Sequence, residues 1–94
     1  MALVIMYTTR YCPYCVAARN LLGALGVEYQ DTDVAADRAL RAEMAQRAGR
    51  YTVPQIWIGS RHVGGFEDME ELHHRGLLEP LLAEMAQAVQ SSNA

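Results

Sequence analysis

The sequence has no lysine, only two cysteines and no long hydrophobic run. Because a transmembrane helix needs about 18 or more consecutive apolar residues, we expect no membrane partner. Two cysteines cannot form a disulfide-rich scaffold, and a composition that is 51% hydrophobic supplies a core that does not need one. All eight basic residues are arginine, so any two-pronged recognition of a carboxylate falls to a guanidinium group.

The net charge is also small, at −3 from 8 basic and 11 acidic residues spread along the chain. Since duplex phosphates attract positive charge, nucleic acid is not an expected partner. The apolar start over residues 1–7 has no basic leader, and Thr8, Thr9 and Arg10 interrupt it before a secretory core could form. We therefore expect a cytoplasmic protein.

Repeats, low-complexity tracts and linkers are missing as well. Since 94 residues fall below the usual domain size of about 100–150, the sequence predicts a single domain over residues 1–94. The small polar residues over 90–94 predict a frayed tail.

Four strands are predicted from short apolar runs and turn residues. The first run is continuous and rich in β-forming residues, which is typical of a buried central strand. Gly59 and Ser60 supply a tight turn between the last two strands. The predicted strands cover residues 2–7, 27–30, 54–58 and 61–63.

Four helices are predicted from apolar residues that recur every three or four positions. Glycines at 26, 49 and 76 are predicted to end the first three helices, and prolines at 13 and 80 fit the first turns of the first and last. Asp33 with Asp37 predicts the start of the second helix. The apolar stripes of the four helices are Cys15, Ala18, Leu22 and Leu25; Ala36, Leu40, Met44 and Ala48; Met69 and Leu72; and Leu78, Leu81, Leu82, Met85 and Val89.

The order β-α-β-α-β-β-α-α determines the expected topology. The two early β-α-β steps predict right-handed parallel crossovers, and the Gly59-Ser60 turn predicts an antiparallel hairpin. The predicted fold class is therefore α/β, with a four-stranded mixed sheet and helices on both faces.

The two cysteines lie three residues apart, at Cys12 and Cys15, where the first helix is predicted to start. One helical turn separates their Cβ atoms by about 5–6 Å, near the distance that a disulfide needs. Cys15 shares the apolar face of the helix and should be sheltered, whereas Cys12 precedes the first turn and should be exposed. The helix N-terminus and the neighbouring Arg10 favour a thiolate at Cys12. These positions predict a redox pair in which Cys12 is the nucleophile and Cys15 resolves the mixed disulfide.

Half of a zinc site is the alternative for this pair. Zinc would need two further ligands, and the histidines at 62, 73 and 74 do not have zinc-finger spacing. Without an export signal, a structural disulfide of the extracellular kind is not expected. We therefore predict redox chemistry and no metal site.

Four segments together carry a resemblance to a known family. Residues 7–15, Tyr-Thr-Thr-Arg-Tyr-Cys-Pro-Tyr-Cys, resemble the active site of the dithiol glutaredoxins, and Thr-Val-Pro-Gln-Ile at 52–56 resembles their Thr-Val-Pro loop. Gly-Gly at 64–65 and Glu-Asp at 67–68 are similar to the double glycine of the family and the acidic helix start that follows it. The resemblance covers roughly residues 2–88, in the same order of strands and helices.

The resemblance implies a thioredoxin-like fold and a glutathione-dependent thiol-disulfide oxidoreductase. Glutathione would be a cosubstrate, with no permanently bound cofactor. The protein substrates would carry disulfides or attached glutathione, and the enzyme would act as a monomer.

A glutathione groove is also implied by the resemblance. A cis peptide before Pro54 would turn the Val53 backbone toward the nucleophilic sulfur, where it would pair with the cysteinyl backbone of glutathione. Gly65 would allow close approach, and amides at the start of the third helix would receive the γ-glutamyl carboxylate. Asp68 would take the ammonium group and Arg50 the glycyl carboxylate. The implied binding residues are Arg10, Tyr14, Gln46, Arg50, Thr52, Val53, Pro54, Gly65, Phe66, Glu67 and Asp68.

The sequence departs from the family pattern at two positions. Thr9 stands where many members carry lysine, next to Arg10, and Phe66 stands where cysteine often follows the double glycine. Two groove residues also have ordinary alternatives, because Asp68 could be a helix cap and Arg50 a solvated side chain.

Two other functions remain open. The same sulfurs could serve an electron donor coupled to thioredoxin reductase, which would lack a glutathione groove, and Arg50 with Asp68 argues against it. Cys12 and glutathione could instead ligate an iron-sulfur cluster between two protomers. Pro13 and Tyr14 argue against the cluster, since cluster-binding relatives usually carry smaller or different residues there.

Overall fold

Strands and helices follow one another along the chain in the predicted order, β-α-β-α-β-β-α-α. The computed structural model describes the backbone of residues 3–92 and the side chains of residues 3–87. Its elements are β1 (Val4–Thr8), α1 (Pro13–Ala24), β2 (Tyr29–Asp33), α2 (Arg38–Ala48), β3 (Gln55–Ile58), β4 (Arg61–Gly64), α3 (Phe66–His74) and α4 (Leu78–Ser92). None of the helices within residues 3–92 combines the length and apolarity that crossing a bilayer requires.

The four strands form one mixed sheet in the order β2-β1-β3-β4. β1 pairs with β2 in parallel, whereas β3 pairs with both β1 and β4 in the antiparallel direction. The prediction of two parallel crossovers is therefore wrong for the second step, from β2 to β3. The handedness rule applies only to strands that run the same way. Here α2 and the loop after it return the chain to the end of the sheet where β2 finished, so β3 enters the sheet in reverse.

This reversal brings two distant chain segments together at one end of the sheet. Gln55 at the start of β3 pairs with Tyr7 near the end of β1. The segment that follows β1 and the segment that precedes β3 consequently leave the sheet at the same end. Residues 9–12 and 50–54 are neighbours there although they are far apart in the sequence.

β2 spans Tyr29–Asp33, later than the predicted strand over 27–30. Val27 belongs instead to the turn after α1, where its N–H donates to the Leu22 carbonyl oxygen at 3.0 Å. β2 lies at the edge of the sheet, and three of its five side chains are exposed. Pairing with β1 rather than hydrophobicity selects this polar strand, which is why the apolar pattern does not find it.

Capping residues determine the ends of α2 as predicted. Asp37 accepts a hydrogen bond at 2.9 Å from the backbone N–H three residues on, and Gly49 ends the helix with a φ of 72°. Ala36 precedes the helix and is exposed, so its assignment to the buried stripe is wrong. Asp33 ends β2, and its carboxylate accepts from the Ala35 N–H at 2.8 Å instead of starting the helix.

The remaining elements lie close to their predicted positions. β1 extends through Thr8 and β4 includes Gly64, while the predicted start of the first strand at residue 2 lies outside the described residues. α4 carries Pro80 in its first turn, as predicted. Residues 90–92, predicted as part of a frayed tail, are helical, and residues 93–94 of that tail lie outside the described residues, as does the Val89 side chain.

Side chains on opposite faces of the sheet form two cores. Along β1, Val4 and Met6 belong to one core and Tyr7 to the other, as the two-residue period of a strand requires. The first core packs against α1, α3 and α4, and the second packs against α2. The prediction of helices on both faces is confirmed. The first core comprises Val4, Met6, Ala18, Leu22, Ile56, Ile58, Met69, Leu78 and Leu81.

Candidate active site

The two cysteines lie at the start of α1, just after the chain leaves β1. Cys12 immediately precedes the helix and Cys15 lies in its first turn, and both are free thiols. Cys15 is fully buried as predicted, on the apolar face of the helix with Ala18 and Leu22. Cys12 is half-buried rather than exposed, because its Sγ faces the loop before β3 and donates to the Val53 carbonyl oxygen at 3.7 Å.

Burial makes Cys15 less acidic and less accessible than an exposed thiol. Removal from water raises the pKa of Cys15 to about 11, and the neighbouring Cys12 sulfur adds to the rise. A hydrogen bond with the Thr9 backbone and the charge of Arg19 oppose this rise only in part. Cys15 is thus a protonated thiol at neutral pH, and Cys12 is the sulfur that a substrate can reach. A nucleophile and a resolving thiol need this difference in access.

Thr8, Arg19 and Asp31 form a polar cluster between α1 and the strands β1 and β2, which the sequence pattern does not reveal. Thr8 is 1% exposed, and its Oγ1 donates to Asp31 Oδ1 at 2.5 Å. Arg19 donates through Nε to Asp31 Oδ2 at 2.6 Å and through Nη2 to Thr8 Oγ1 at 3.0 Å. The cluster joins α1 to β1 and β2 and brings a positive charge near Cys15. Its sequence signal is an arginine four residues after Cys15, on the same side of the helix.

A cleft of about 310 Å³ opens next to Val53, the residue that Cys12 contacts. Its walls come from the first turn of α1, the loop before β3 and the start of α3. The peptide bond before Pro54 is cis, as the family resemblance implies. The lining residues are Tyr14, Arg50, Thr52, Val53, Pro54, Gly65, Phe66, Glu67 and Asp68.

The cleft brings together nine of the eleven residues that the resemblance implies for glutathione. Arg10 and Gln46 lie outside it, and both are exposed. Gln46 lies on α2, whereas Arg50 follows the left-handed Gly49 that ends this helix and leads the chain toward the cleft. Arg10 lies in the turn before α1.

A charged pair lies in the wall of the cleft. Arg50 Nη1 is 3.0 Å from Asp68 Oδ2, and the same oxygen accepts from the Gly65 N–H at 2.8 Å. The Gly65 hydrogen bond first, and Arg50 second, hold the pKa of Asp68 below its usual value. Asp68 is therefore ionised at neutral pH. It caps the start of α3 and lines the cleft at the same time, so the two roles considered for it do not exclude each other.

Gly64, which the sequence pattern did not single out within the double glycine, is required by the position of Asp68. It has a φ of 118°, and a side chain there would collide with the Asp68 carboxylate and lie 3.1 Å from Arg50 Nη2. The adjacent Gly65 has more room, since its nearest neighbour would be the Pro54 carbonyl oxygen at 3.6 Å. Gly65 lines the cleft, so the close approach of glutathione expected there stays a prediction, whereas Gly64 is required by a contact within the protein.

Backbone donors at the start of α3 also lie in the cleft wall. The first hydrogen bond within this helix runs from the Met69 N–H to the Gly65 carbonyl oxygen at 3.2 Å. The N–H groups of residues 66–68 come before it and have no acceptor inside the helix. Because a helix N-terminus carries partial positive charge, this end of the cleft suits a carboxylate.

Metal-binding side chains do not gather in the part of the chain that the structure describes. No group of three or more cysteine, histidine, aspartate or glutamate residues there is placed to hold an ion. His62 lies on β4, and His73 and His74 lie at the end of α3. A zinc half-site at the cysteines would therefore lack further protein ligands within residues 3–87.

The fold and the site together define a class of protein. A cysteine pair at a helix start, beside a cis-proline loop and on a four-stranded mixed sheet, is the arrangement of a thioredoxin-fold thiol-disulfide oxidoreductase.

Comparison with known proteins identifies the family within this class. The family model described as Glutaredoxin matches residues 4–63. A glutaredoxin of Pseudomonas aeruginosa is 49% identical over 80 residues, which cover 85% of this chain and 95% of that one. Glutaredoxin 3 of Escherichia coli is 48% identical over 82 residues, covering 87% and 99%. The crystal structure of a buckwheat glutaredoxin-glutathione complex has a TM-score of 0.84 and 32% identity, over 90% of this chain and 80% of that one.

The chain belongs to the glutaredoxin family. It is a glutathione-dependent thiol-disulfide oxidoreductase with a thioredoxin-like fold, so the fold and the activity that the resemblance implied are confirmed.

Proposed function

We propose that this enzyme reduces both protein disulfides and glutathione mixed disulfides through a Cys12/Cys15 dithiol, with glutathione held in the cleft. The proposal is carried by the position of the Cys12 sulfur, 3.7 Å from the Val53 carbonyl oxygen, beside the cleft that Arg50 and Asp68 line. The buckwheat relative, whose structure is a complex with glutathione, supports the same ligand here. Glutathione acts as a cosubstrate in this proposal, and no permanently bound cofactor takes part.

The charges of the cleft suit a tripeptide that is charged at both ends. The Arg50 guanidinium binds the glycyl carboxylate, the N–H groups of α3 bind the γ-glutamyl carboxylate, and Asp68 binds the ammonium group. The Val53 backbone pairs with the cysteinyl residue as an added strand. Arg50 and Asp68 pair with each other at 3.0 Å. A ligand that carries both a carboxylate and an ammonium group replaces this ion pair with two new ones, so neither side chain loses its counterion. A neutral thiol offers no such exchange.

Attack by Cys12 alone suffices for a glutathionylated protein. The Cys12 thiolate attacks the glutathione sulfur, forms a mixed disulfide and releases the protein sulfur as a thiolate, which takes up a proton. The thiolate of a second glutathione then attacks the glutathione sulfur on Cys12. This step forms oxidised glutathione and restores the Cys12 thiolate.

A disulfide within a protein requires Cys15 as well. Cys12 attacks one sulfur of the disulfide and releases the other as a thiolate. Cys15 then loses its proton and attacks the Cys12 sulfur, which forms the Cys12-Cys15 disulfide and releases the second protein thiolate. Two glutathione molecules reduce this disulfide and leave as oxidised glutathione.

We extend the proposal to the setting in which the enzyme works, as a monomer in the cytoplasm. Reduction by glutathione requires a compartment that keeps a large pool of glutathione reduced. A monomer suffices because the proposed steps use only the cysteine pair and the cleft of one chain.

Two serine variants test the proposed function. They are assayed with a glutathionylated peptide and with a protein that carries an intramolecular disulfide, using glutathione and glutathione reductase as the electron supply. Cys12→Ser should abolish both activities, because both begin with attack by this sulfur. Cys15→Ser should keep the removal of glutathione and lose most of the reduction of the protein disulfide, since only the second reaction needs a resolving thiol.

The two alternative functions give different results in the same experiments. Loss of both activities in Cys15→Ser would contradict the glutathione cleft and favour an electron donor coupled to thioredoxin reductase. Visible absorption bands in the freshly purified wild-type protein would favour a scaffold for an iron-sulfur cluster.

A further inference from the structure

A buried glutamine connects the loop of the cleft to β4. Gln55 begins β3, whose other three residues are apolar, and its side chain is fully buried. Its Nε2 donates to the Thr52 carbonyl oxygen at 3.0 Å and to Thr52 Oγ1 at 3.2 Å. Its Oε1 lies 2.7 Å from Nε2 of His62 on β4. A chain of hydrogen bonds therefore runs from His62 through Gln55 to Thr52.

The chemistry of the groups determines the direction of each hydrogen bond. The amide nitrogen of Gln55 only donates and meets two oxygens of Thr52, so its amide oxygen is the end that faces His62. An amide oxygen only accepts, so His62 Nε2 must carry a proton. The neutral ring with its proton on Nε2 and the charged ring both meet this requirement.

Packing holds the His62 ring in this position, and its surroundings favour the uncharged form. Its ring stacks on the buried ring of Trp57, with 4.6 Å between the centroids. Burial is the main cause that lowers the pKa of His62; Arg50 and Arg47 lower it further and Asp68 opposes them. At neutral pH the donor is therefore the Nε2–H of an uncharged ring, which lies close to the charged pair of the cleft.

The other end of the chain of hydrogen bonds reaches the site of chemistry. Thr52 directly precedes Val53, whose carbonyl oxygen is 3.7 Å from the Cys12 sulfur. Residues 50–54 belong to neither a helix nor a strand, so regular backbone hydrogen bonds do not fix their position. Instead, the Gln55 side chain holds Thr52 in place through hydrogen bonds from within the core. Because a buried amide is costly to leave unpaired, its orientation depends on having a partner at both ends.

We propose that His62 is a positioning residue for the glutathione cleft: acting through Gln55, it fixes Thr52 and with it the Val53 backbone that receives the tripeptide. The inference rests on the proposed function, because it concerns how the same cleft holds glutathione. His62 is not among the residues that line the cleft. Its removal therefore weakens binding of the glutathione moiety and leaves the reactivity of Cys12 unchanged.

Two substitutions separate the hydrogen bond from the packing. His62→Gln keeps an N–H at the reach of Nε2 and loses the ring on Trp57, whereas His62→Phe keeps a ring and loses the donor. The KM for a glutathionylated peptide should rise about fivefold to tenfold in His62→Phe and stay within about twofold of the wild type in His62→Gln. The kcat and the rate at which iodoacetamide alkylates Cys12 should stay unchanged in both. His74→Phe, at the exposed end of α3, is the matched control and should behave as the wild type.

Several outcomes would overturn the proposal. A wild-type KM in His62→Phe would show that the loop does not need the donor, and an equal rise in both variants would show that only ring packing matters. If His62→Phe does not fold by circular dichroism, the Gln55 side-chain amide of the wild type provides a second test by NMR. Its protons should exchange slowly with deuterium, and fast exchange would also overturn the proposal. A wild-type enzyme that does not saturate with the glutathionylated peptide would instead contradict the proposed function, so the two failures are distinguishable.

Discussion

One helical turn moves a cysteine side chain from the mouth of the cleft into the core. Cys12 keeps contact with the loop before β3, whereas Cys15 is fully buried and its pKa is raised to about 11. The same burial that protects Cys15 from external oxidants also makes it a slow nucleophile while it is protonated. In the proposed reaction it becomes effective when a mixed disulfide on Cys12 is held one turn away, because proximity then compensates for the small fraction of thiolate.

Alkylation of the reduced wild-type protein tests this difference at Cys15. Since only the thiolate reacts with iodoacetamide, the rate at Cys15 should keep rising until the pH approaches about 11, its pKa in the folded protein. Fragment-ion mass spectrometry, which assigns the label to Cys12 or Cys15, provides the measurement. Urea-unfolded protein is the control, and both of its cysteines should titrate with a pKa of about 8.5. A rate at Cys15 that levels off at this ordinary value in the folded protein would contradict the effect of burial.

The Asp68 carboxylate can be tested apart from its role as a cap. Asp68→Asn keeps an oxygen that accepts the Gly65 N–H and removes the negative charge. The KM for a glutathionylated peptide should rise about tenfold, because a charge-assisted contact with the ammonium group is lost. The rate with a small uncharged disulfide should not change. Glu71→Gln, an exposed residue further along α3, is the matched control.

An equal loss with both substrates in Asp68→Asn would mean that the carboxylate serves only the structure of α3. An equal loss in Glu71→Gln would show that the overall charge of the helix, rather than this carboxylate, affects binding.

Among the elements, helices α1 and α2 are predictable from sequence because their signals are local. Pro13 in the first turn, Asp37 as a cap and Gly49 in a left-handed conformation act within a few residues of where they stand. The direction of β3 and the limits of β2 depend on pairing with β1, which no local pattern contains. Both were therefore predicted incorrectly.

The cleft shows the same division between local and distant information. Its cysteine pair follows from spacing and helix position, and most of its lining follows from the resemblance to a family. The role of Gln55 could not be predicted from the sequence, because it depends on hydrogen-bond partners in two other segments of the chain. The need for glycine at position 64 was not predicted, because only the fold shows that this residue faces the Asp68 carboxylate.

For the whole molecule, stability should fall as the pH is lowered. The pKa of His62 is lower in the folded protein than its ordinary value of 6.5, so below about this pH the unfolded chain binds more protons and unfolding is favoured. The pKa of Asp68 is lowered from 3.8, so its contribution is complete above that value and is lost as the pH falls toward the lower pKa of the folded state. Urea unfolding midpoints measured across this range should show both effects.

Substitutions at His62 and Asp68 test which residue causes each part of this pH dependence. His62→Gln should flatten the decrease between about pH 7 and pH 5, and the exposed His74→Gln should retain it. Asp68→Asn should flatten only the part below 3.8. A wild-type slope in His62→Gln would mean that other groups cause the loss of stability in weak acid.

Because β3 runs antiparallel to β1, the cysteine pair and the loop beside it come from two distant stretches of the chain. Cys12 and Val53 are 41 residues apart and meet only after β3 has paired with β1. A chain that ended before residue 50 would keep the cysteine motif and the first β-α-β unit, yet it would have no surface on which to hold a tripeptide. In the proposed function, residues 12–15 determine which reaction takes place, and residues 50–68 determine which thiol compound takes part. If this division holds, substitutions in the second stretch should change which thiol the enzyme uses while its nucleophile stays intact.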